Sequence, residues 1–330
     1  MLRYVTFLLS GFTIMCIKIL VGTIKGYMAA VNKHYRDNKF REPFDAKDDS
    51  DAAVLLRAQE KFEDAPAKRA PLTNQMIVKM CELAKQDPLG FHACVWDFVA
   101  IGRFGGFRQQ EYAMDSKTEI KYYVKPDGTC VVRAFTVKNF IFYNTGDVIL
   151  EKPLRNRVVV NKLGTQYDVQ KNRMNGQIVC VVRLLDYPDY DPVDCGLNIV
   201  ARASHLGFTD PDDPLCVYKK GDKVYYLTGE DITAYFRFIA KLVNPNISDA
   251  ELKLIASHSL RVFAAVLLSE AGKDGPYIKL RLRWLSDCFE VYLRNTNRIT
   301  EQHADALESV HAQMVALTLA ATNMNTVVQV

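Results

Sequence analysis

Ser257-His-Ser-Leu-Arg261 sets His258 and Arg261 three residues apart, so on a helix they share a face. Trp284 follows 23 residues after Arg261, within Leu282-Arg-Trp-Leu-Ser-Asp-Cys-Phe-Glu-Val-Tyr-Leu-Arg294, and Tyr292 lies eight after Trp284. Far upstream, Gly106-Phe-Arg-Gln-Gln-Glu111 puts Arg108 just after a glycine-rich turn. Arginine clamps anionic oxygens, histidine carries a proton and tyrosine can act as a nucleophile. Singly, each piece has an ordinary reading. A His-x-x-Arg pair is usually a solvated helix face, a Trp and a Tyr are usually packing residues, and an Arg-x-x-Glu is usually a surface ion pair.

The ordered set is more specific: Arg108, a hairpin lysine, His258 and Arg261, then Trp284, then Tyr292. In that order it resembles the catalytic signature of the tyrosine recombinase, or phage integrase-like, family. Gly-Phe-Arg-x-x-Glu is similar to the family's first box, Gly-Leu-Arg-x-x-Glu. His-Ser-Leu-Arg followed by Arg-Trp-x-Ser-Asp-x-Phe-x-x-Tyr-Leu-Arg looks like the second box of integrase-like proteins of mobile elements. Trp284 fills a slot that is histidine in many members. The family's lysine sits in a β-hairpin, and Gln170-Lys-Asn-Arg-Met-Asn-Gly176 makes Lys171 the expected residue. Lys162 comes next and Lys138 third.

The resemblance implies a site-specific recombinase that cuts and rejoins DNA through a 3′-phosphotyrosine, freeing a 5′-hydroxyl. Cleavage builds charge on the non-bridging phosphate oxygens, and many nucleases spread that charge over two metals. The sequence has no carboxylate cluster to hold metals, so no metal or cofactor is expected. Arg108 and Arg261 would clamp the oxygens bidentately. Tyrosine has an ordinary pKa near 10, and nearby guanidinium charge is expected to favour the Tyr292 phenolate. His258 would accept or relay the proton, Lys171 would protonate the leaving oxygen, and Trp284 would pack the site and offer its indole N–H. Glu111 would orient Arg108 rather than react. The covalent link conserves the phosphodiester energy, so rejoining needs no ATP.

These residues need elements to position them. The expected fold is α+β, mainly helical with a small antiparallel sheet. Residues 4–36 read as helical, with Ile24, Tyr27, Met28 and Val31 at helix spacing, and 52–63 as a short helix. Ala65-Pro-Ala-Lys-Arg-Ala-Pro71 is the clearest boundary. Thr73 caps the next helix, and another runs from about Pro88 to Ile101. Strands are expected at Glu119–Val124 and Cys130–Thr136. A second hairpin is expected at Tyr167–Gln170 and Ile178–Val182, turning at Asn175-Gly176. Residues 194–207 and 229–243 read as helices joined by an irregular acidic segment. Ser248-Asp-Ala-Glu251 has capping-box form, and a last amphipathic helix spans about 301–322. The resemblance implies a shortened helical core-binding domain and linker over 1–64, a catalytic domain over 65–300, and a C-terminal helix and tail over 301–330. That helix either docks on a neighbouring protomer or packs on its own domain.

The chain has 330 residues, 49% hydrophobic and 24% charged, with a net charge of +4. This is a globular composition that permits DNA binding without demanding it. Its eight cysteines are scattered, with neither CxxC nor zinc spacing, which points to reduced thiols in a cell interior. The uncharged run from Tyr4 to Ile17 has the length of a buried helix rather than a membrane span. The expected partner is double-stranded DNA, with a synaptic tetramer forming on it, inside the cell and in the nucleus if the host is eukaryotic. Three other readings stay open: a decayed or domesticated relative that binds DNA without cutting, a type IB topoisomerase-like enzyme, and a membrane-anchored protein.

Overall fold

Of the 330 residues, the computed structural model describes 21–43, 51–60, 68–125, 128–169, 175–293 and 308. They belong to two compact units, Met1–Ala67 and Lys68–Val330. The first holds α1 (Val21–Asp37) and α2 (Asp51–Glu60). In α1, Val21, Ile24 and Asn32 are buried, whereas Tyr27, expected on the apolar side, is exposed. The run at 4–17 lies outside the described residues. No described helix is long and apolar enough to cross a membrane.

In the second unit, side-chain caps start the helices. The Thr73 hydroxyl accepts from Met76 N–H at 3.3 Å and opens α3 (Asn74–Ala84), satisfying one of the donors a helix start leaves free. Next comes α4 (Phe91–Gly105), buried without a break from Ala93 to Gly102, as a helix apolar on all sides must be. Its last residue, Gly105, lies four beyond the expected end, and Gly106 caps it in the left-handed conformation. The short α5 (Gln109–Tyr112) follows at once.

Strands β1 (Tyr122–Val124) and β2 (Cys130–Val132) pair antiparallel, with Tyr123 opposite Val131. A three-stranded antiparallel sheet runs in the order β3 (Phe140–Tyr143), β4 (Lys162–Gln166), β5 (Ile178–Val182). The expected hairpin is therefore present with its first strand earlier, at 162–166 rather than 167–170. Leu163 and Thr165 of β4 and Val179 and Val181 of β5 are buried. Pairing continues past the strand ends through Tyr167 and Gln177, and Gly176 N–H donates to the Tyr167 carbonyl.

Asp191 caps α6 (Pro192–His205). The segment expected to be irregular instead contains the hairpin β6 (Val217–Lys220) and β7 (Lys223–Tyr226). Thr228 then caps α7 (Gly229–Val243), and the Ser248–Glu251 capping box opens α8 (Asp249–Leu254). α9 (Ser259–Glu270), α10 (Gly275–Arg281) and a 3-10 turn at Asp287–Tyr292 complete the described chain. The architecture is α+β, as expected. α4 is central, packed against α3, α6 and α9. Gly102 permits the close approach of α9, because a Cβ there would sit 2.7 Å from Leu260 Cδ2. The C-terminal helix expected over 301–322 lies outside the described residues, apart from Glu308.

Candidate active site

The C-terminal end of α4 places the first arginine. Gly106 has φ of 55°, which glycine adopts without the steric penalty of a Cβ. The chain turns there, buries Phe107 and delivers Arg108 to the start of α5. Glu111, itself buried, accepts from the Arg108 backbone N–H at 2.8 Å and from Arg108 Nη1 at 3.2 Å. Arg108 Nη2 donates to the Arg283 carbonyl at 3.0 Å. A quarter of the Arg108 side chain remains exposed (25%).

The second arginine comes from the start of α9. His258 occupies the cap position and its carbonyl accepts from Arg261 N–H. The two do share a site, with His258 in the turn before the helix and Arg261 in its first turn. Neighbouring elements tie that turn down: Ser257 N–H donates to Thr233 Oγ1 of α7, and Ser257 Oγ lies 2.5 Å from Gln109 Oε1 of α5. Arg261 is 2% exposed. Its Nη1 donates to the Gly106 carbonyl, and its Nη2 to the carbonyls of Leu282 at 2.6 Å and Arg283 at 3.4 Å. Burial, then the charge of Arg108, pushes its pKa down to about 9, so it still carries its charge at neutral pH.

Beyond α10 the chain supplies the aromatic half. The Arg261 guanidinium lies 4.4 Å from the centre of the Trp284 ring, a cation–π contact. Trp284 Nε1 is buried and has no hydrogen-bond partner among the described residues. The His258 ring is 6.3 Å from that of Trp284, edge-on, and 6.3 Å from that of Tyr292. Burial first, then Arg261, Arg69 and Arg108, holds His258 below the usual histidine range, leaving it neutral and able to take a proton. The Tyr292 phenol moves the other way from the expectation. Burial and then Cys288 push its pKa up, and Arg69 pulls it down. The guanidinium groups of Arg108 and Arg261 do not reach it strongly enough to offset burial.

Five of the expected residues thus gather in one place: Arg108, His258, Arg261, Trp284 and Tyr292, with Glu111 behind Arg108. Lys171 lies outside the described residues. The two other lysines considered are held by carboxylates. Lys162 pairs with Asp147 and sits 4.7 Å over the Tyr143 ring, and Lys138 is 2.5 Å from Asp212 and 3.8 Å from Asp168. No group of His, Cys, Asp and Glu suited to a metal occurs among the described residues.

Two further arginines enter the site, Arg69 from outside the sequence motif and Arg283 from within its Arg-Trp pair but with no role expected for it. Arg69, from the proline-flanked segment before α3, donates to the Lys253 carbonyl at 2.8 Å and acts on both His258 and Tyr292. Arg283 is almost wholly buried, at 2% exposure. Its Nη1 and Nη2 meet the two Glu111 oxygens at 3.0 Å each, and its guanidinium stacks 3.5 Å over the Tyr167 ring. Burial opposes its charge, but Tyr167 and Glu111 outweigh that and raise its pKa. The signal in the sequence for Arg283 is its place before Trp284 in the Arg-Trp-x-Ser-Asp box.

No family model and no curated protein matches the chain. Among solved structures it is similar to XerH site-specific recombinase bound to palindromic difH substrate, in a post-cleavage complex. That match has a TM-score of 0.47 and 12% identity, and covers 93% of this chain and 72% of that one. It is also similar to XerA recombinase, with a TM-score of 0.38, 14% identity, and coverage of 94% and 90%. A third likeness is to the Tn1549 transposon integrase in complex with transposon right end DNA, with a TM-score of 0.41, 11% identity, and coverage of 93% and 92%. At such identities the chemistry rests on this chain's own residues.

Proposed function

We propose that this protein is a tyrosine-type DNA recombinase, with Tyr292 attacking a DNA phosphate. The observation that carries the reading is the convergence of Arg108 and Arg261 on one backbone carbonyl, that of Arg283, beside the His258, Trp284 and Tyr292 rings. With Arg283, three guanidinium groups cluster about the single carboxylate of Glu111, so the cluster keeps an excess of positive charge that favours a further anion. A phosphodiester fits that need, and its charge grows during cleavage, where fixed donors act most strongly.

In this reading the phosphate lies against Arg108 and Arg261, with the buried Trp284 N–H as a third donor. His258 accepts the Tyr292 proton. The phenolate attacks phosphorus, forming a phosphotyrosyl bond and breaking the bond to the 5′ oxygen, which Lys171 protonates. Reversal onto another 5′-hydroxyl rejoins the strand with no outside energy source. Two copies on each of two sites would make the synaptic tetramer. The 1–64 segment would act as a shortened DNA clamp.

A nicked suicide DNA carrying the element's terminal sequence tests this. The expected product is a protein–DNA adduct that survives denaturation and is absent in Tyr292→Phe. DNA binding without any adduct would replace this reading with that of a DNA-binding relative that does not cut.

A further inference from the structure

The geometry points to Arg283 as a positioning residue: it neutralises Glu111 so that the charge of Arg108 stays available to the phosphate. The inference rests on the recombinase reading above. It starts from a conflict between residue type and backbone. Helix α10 closes with two hydrogen bonds, Trp284 N–H to the Lys279 carbonyl at 2.9 Å and Arg283 N–H to the Leu280 carbonyl at 3.3 Å. That pattern ends a helix with a left-handed residue, usually glycine. Here the left-handed residue is Arg283, with φ of 58°. An arginine tolerates that conformation only where its surroundings over-determine it.

The surroundings do so on both sides of the residue. The left-handed turn presents the Arg283 carbonyl to Arg108 Nη2 and Arg261 Nη2, at 3.0 and 3.4 Å. The side chain runs back to Glu111 with both terminal nitrogens, and Nη2 also reaches the Gly105 carbonyl at 3.2 Å. Glu111 therefore faces two guanidinium groups. The bond from Arg108 uses one nitrogen at 3.2 Å, whereas Arg283 meets both carboxylate oxygens at 3.0 Å. The planar fork of arginine matches a carboxylate in this way, and lysine does not. The buried carboxylate is thus compensated by the arginine that does not face the reaction. Without Arg283, the full charge of Glu111 would fall on Arg108 and draw it back from the phosphate.

The test is a double-mutant cycle on single-turnover adduct formation with the suicide DNA, using Arg283→Gly and Arg108→Ala. Glycine keeps the left-handed turn and its carbonyl and removes only the guanidinium. Arg283→Gly should slow adduct formation on the order of 10²-fold, the size of effect a small misplacement produces. DNA affinity should change by less than about threefold, because the loss is in positioning. In the Arg108→Ala background the same substitution should lose most of its effect, as coupled residues do. If Arg283→Gly does not fold, Arg283→Asn takes its place in the cycle, since asparagine tolerates the left-handed turn and carries no charge. Equal rates for the parent and the position-283 variant would overturn the role of Arg283. So would an undiminished loss in the Arg108→Ala background, which would mark general damage rather than action through Arg108. A parent protein that forms no adduct would overturn the recombinase reading, and this inference with it.

Discussion

Arg261 shows how much of the site depends on one side chain. It is buried, donates to three carbonyls and lies against the Trp284 ring. Arg261→Lys keeps a charge but loses the fork and the flat face that stacks on indole. Adduct formation should fall on the order of 10²-fold, measured in a single turnover, with a magnitude typical of losing one preorganised donor. His258 makes a second prediction. Its pKa is held below the usual value near 6.5, so it is neutral at pH 7 and becomes charged as pH falls. A base that must be neutral gives a rate that is level at neutral pH and declines only at more acid pH than an ordinary histidine would give. Rates of adduct formation from pH 5 to 8 should show that limb, and His258→Asn should remove it. At this scale the motif pointed to the candidate residues and included Arg283 beside Trp284, but could not show what Arg283 does. Its meaning lies in a backbone angle and in a carboxylate 172 positions away, and neither leaves a local pattern.

At the scale of elements, the joint between α4 and α5 sets the first arginine. Gly106 sits at φ of 55°, and a Cβ there would come within 2.9 Å of Leu282 Cδ2. Gly106→Ala should lower stability by about 1–2 kcal/mol, the usual left-handed penalty. It should also slow adduct formation, because Arg108 moves with the turn. Denaturant unfolding and single-turnover rates check the two parts separately. Helices were the legible elements, since capping residues such as Thr73 and Ser248 and apolar periodicity mark them locally. Strands were less so. β3 is four residues, Phe-Ile-Phe-Tyr, with Asn on either side, too short to display alternation. β4 carries a glycine among mixed residues, and its pairing with β3 and β5 is a tertiary fact. The β6–β7 hairpin turns at Gly221-Asp222, a signal visible in the sequence, but lysines and tyrosines rather than aliphatic residues form its strands.

At the scale of the molecule, a net charge of +4 is modest. On the recombinase reading, DNA affinity must then come from locally clustered cations, and the salt dependence counts them. Each phosphate neutralised lowers the slope of log affinity against log salt by about 0.9 on duplex DNA. Binding measured between 50 and 200 mM salt should fall steadily. The slope should lessen by about one unit when Arg108 is replaced by Ala, because the proposed reading sets that residue against a phosphate. A flat salt profile would speak against a phosphate-bound mode. The α+β class was legible from composition and pattern, whereas the service of each segment to DNA depends on residues such as Lys171, which fall outside the described parts.

The left-handed Arg283 also makes the site a point of conflict between durability and use. A glycine there, joined to a neutral residue at 111, would relax the turn and remove a buried ion pair, an exchange that is often neutral or stabilising in proteins. Selection acting on abundance alone would drift toward that exchange. On the recombinase reading, lineages that no longer cut DNA should lose this arginine and this carboxylate together, and should do so before they lose the buried apolar residues of α4. The paired identity of positions 111 and 283 would then serve as a record of whether a copy of such a protein is still working or has been retired.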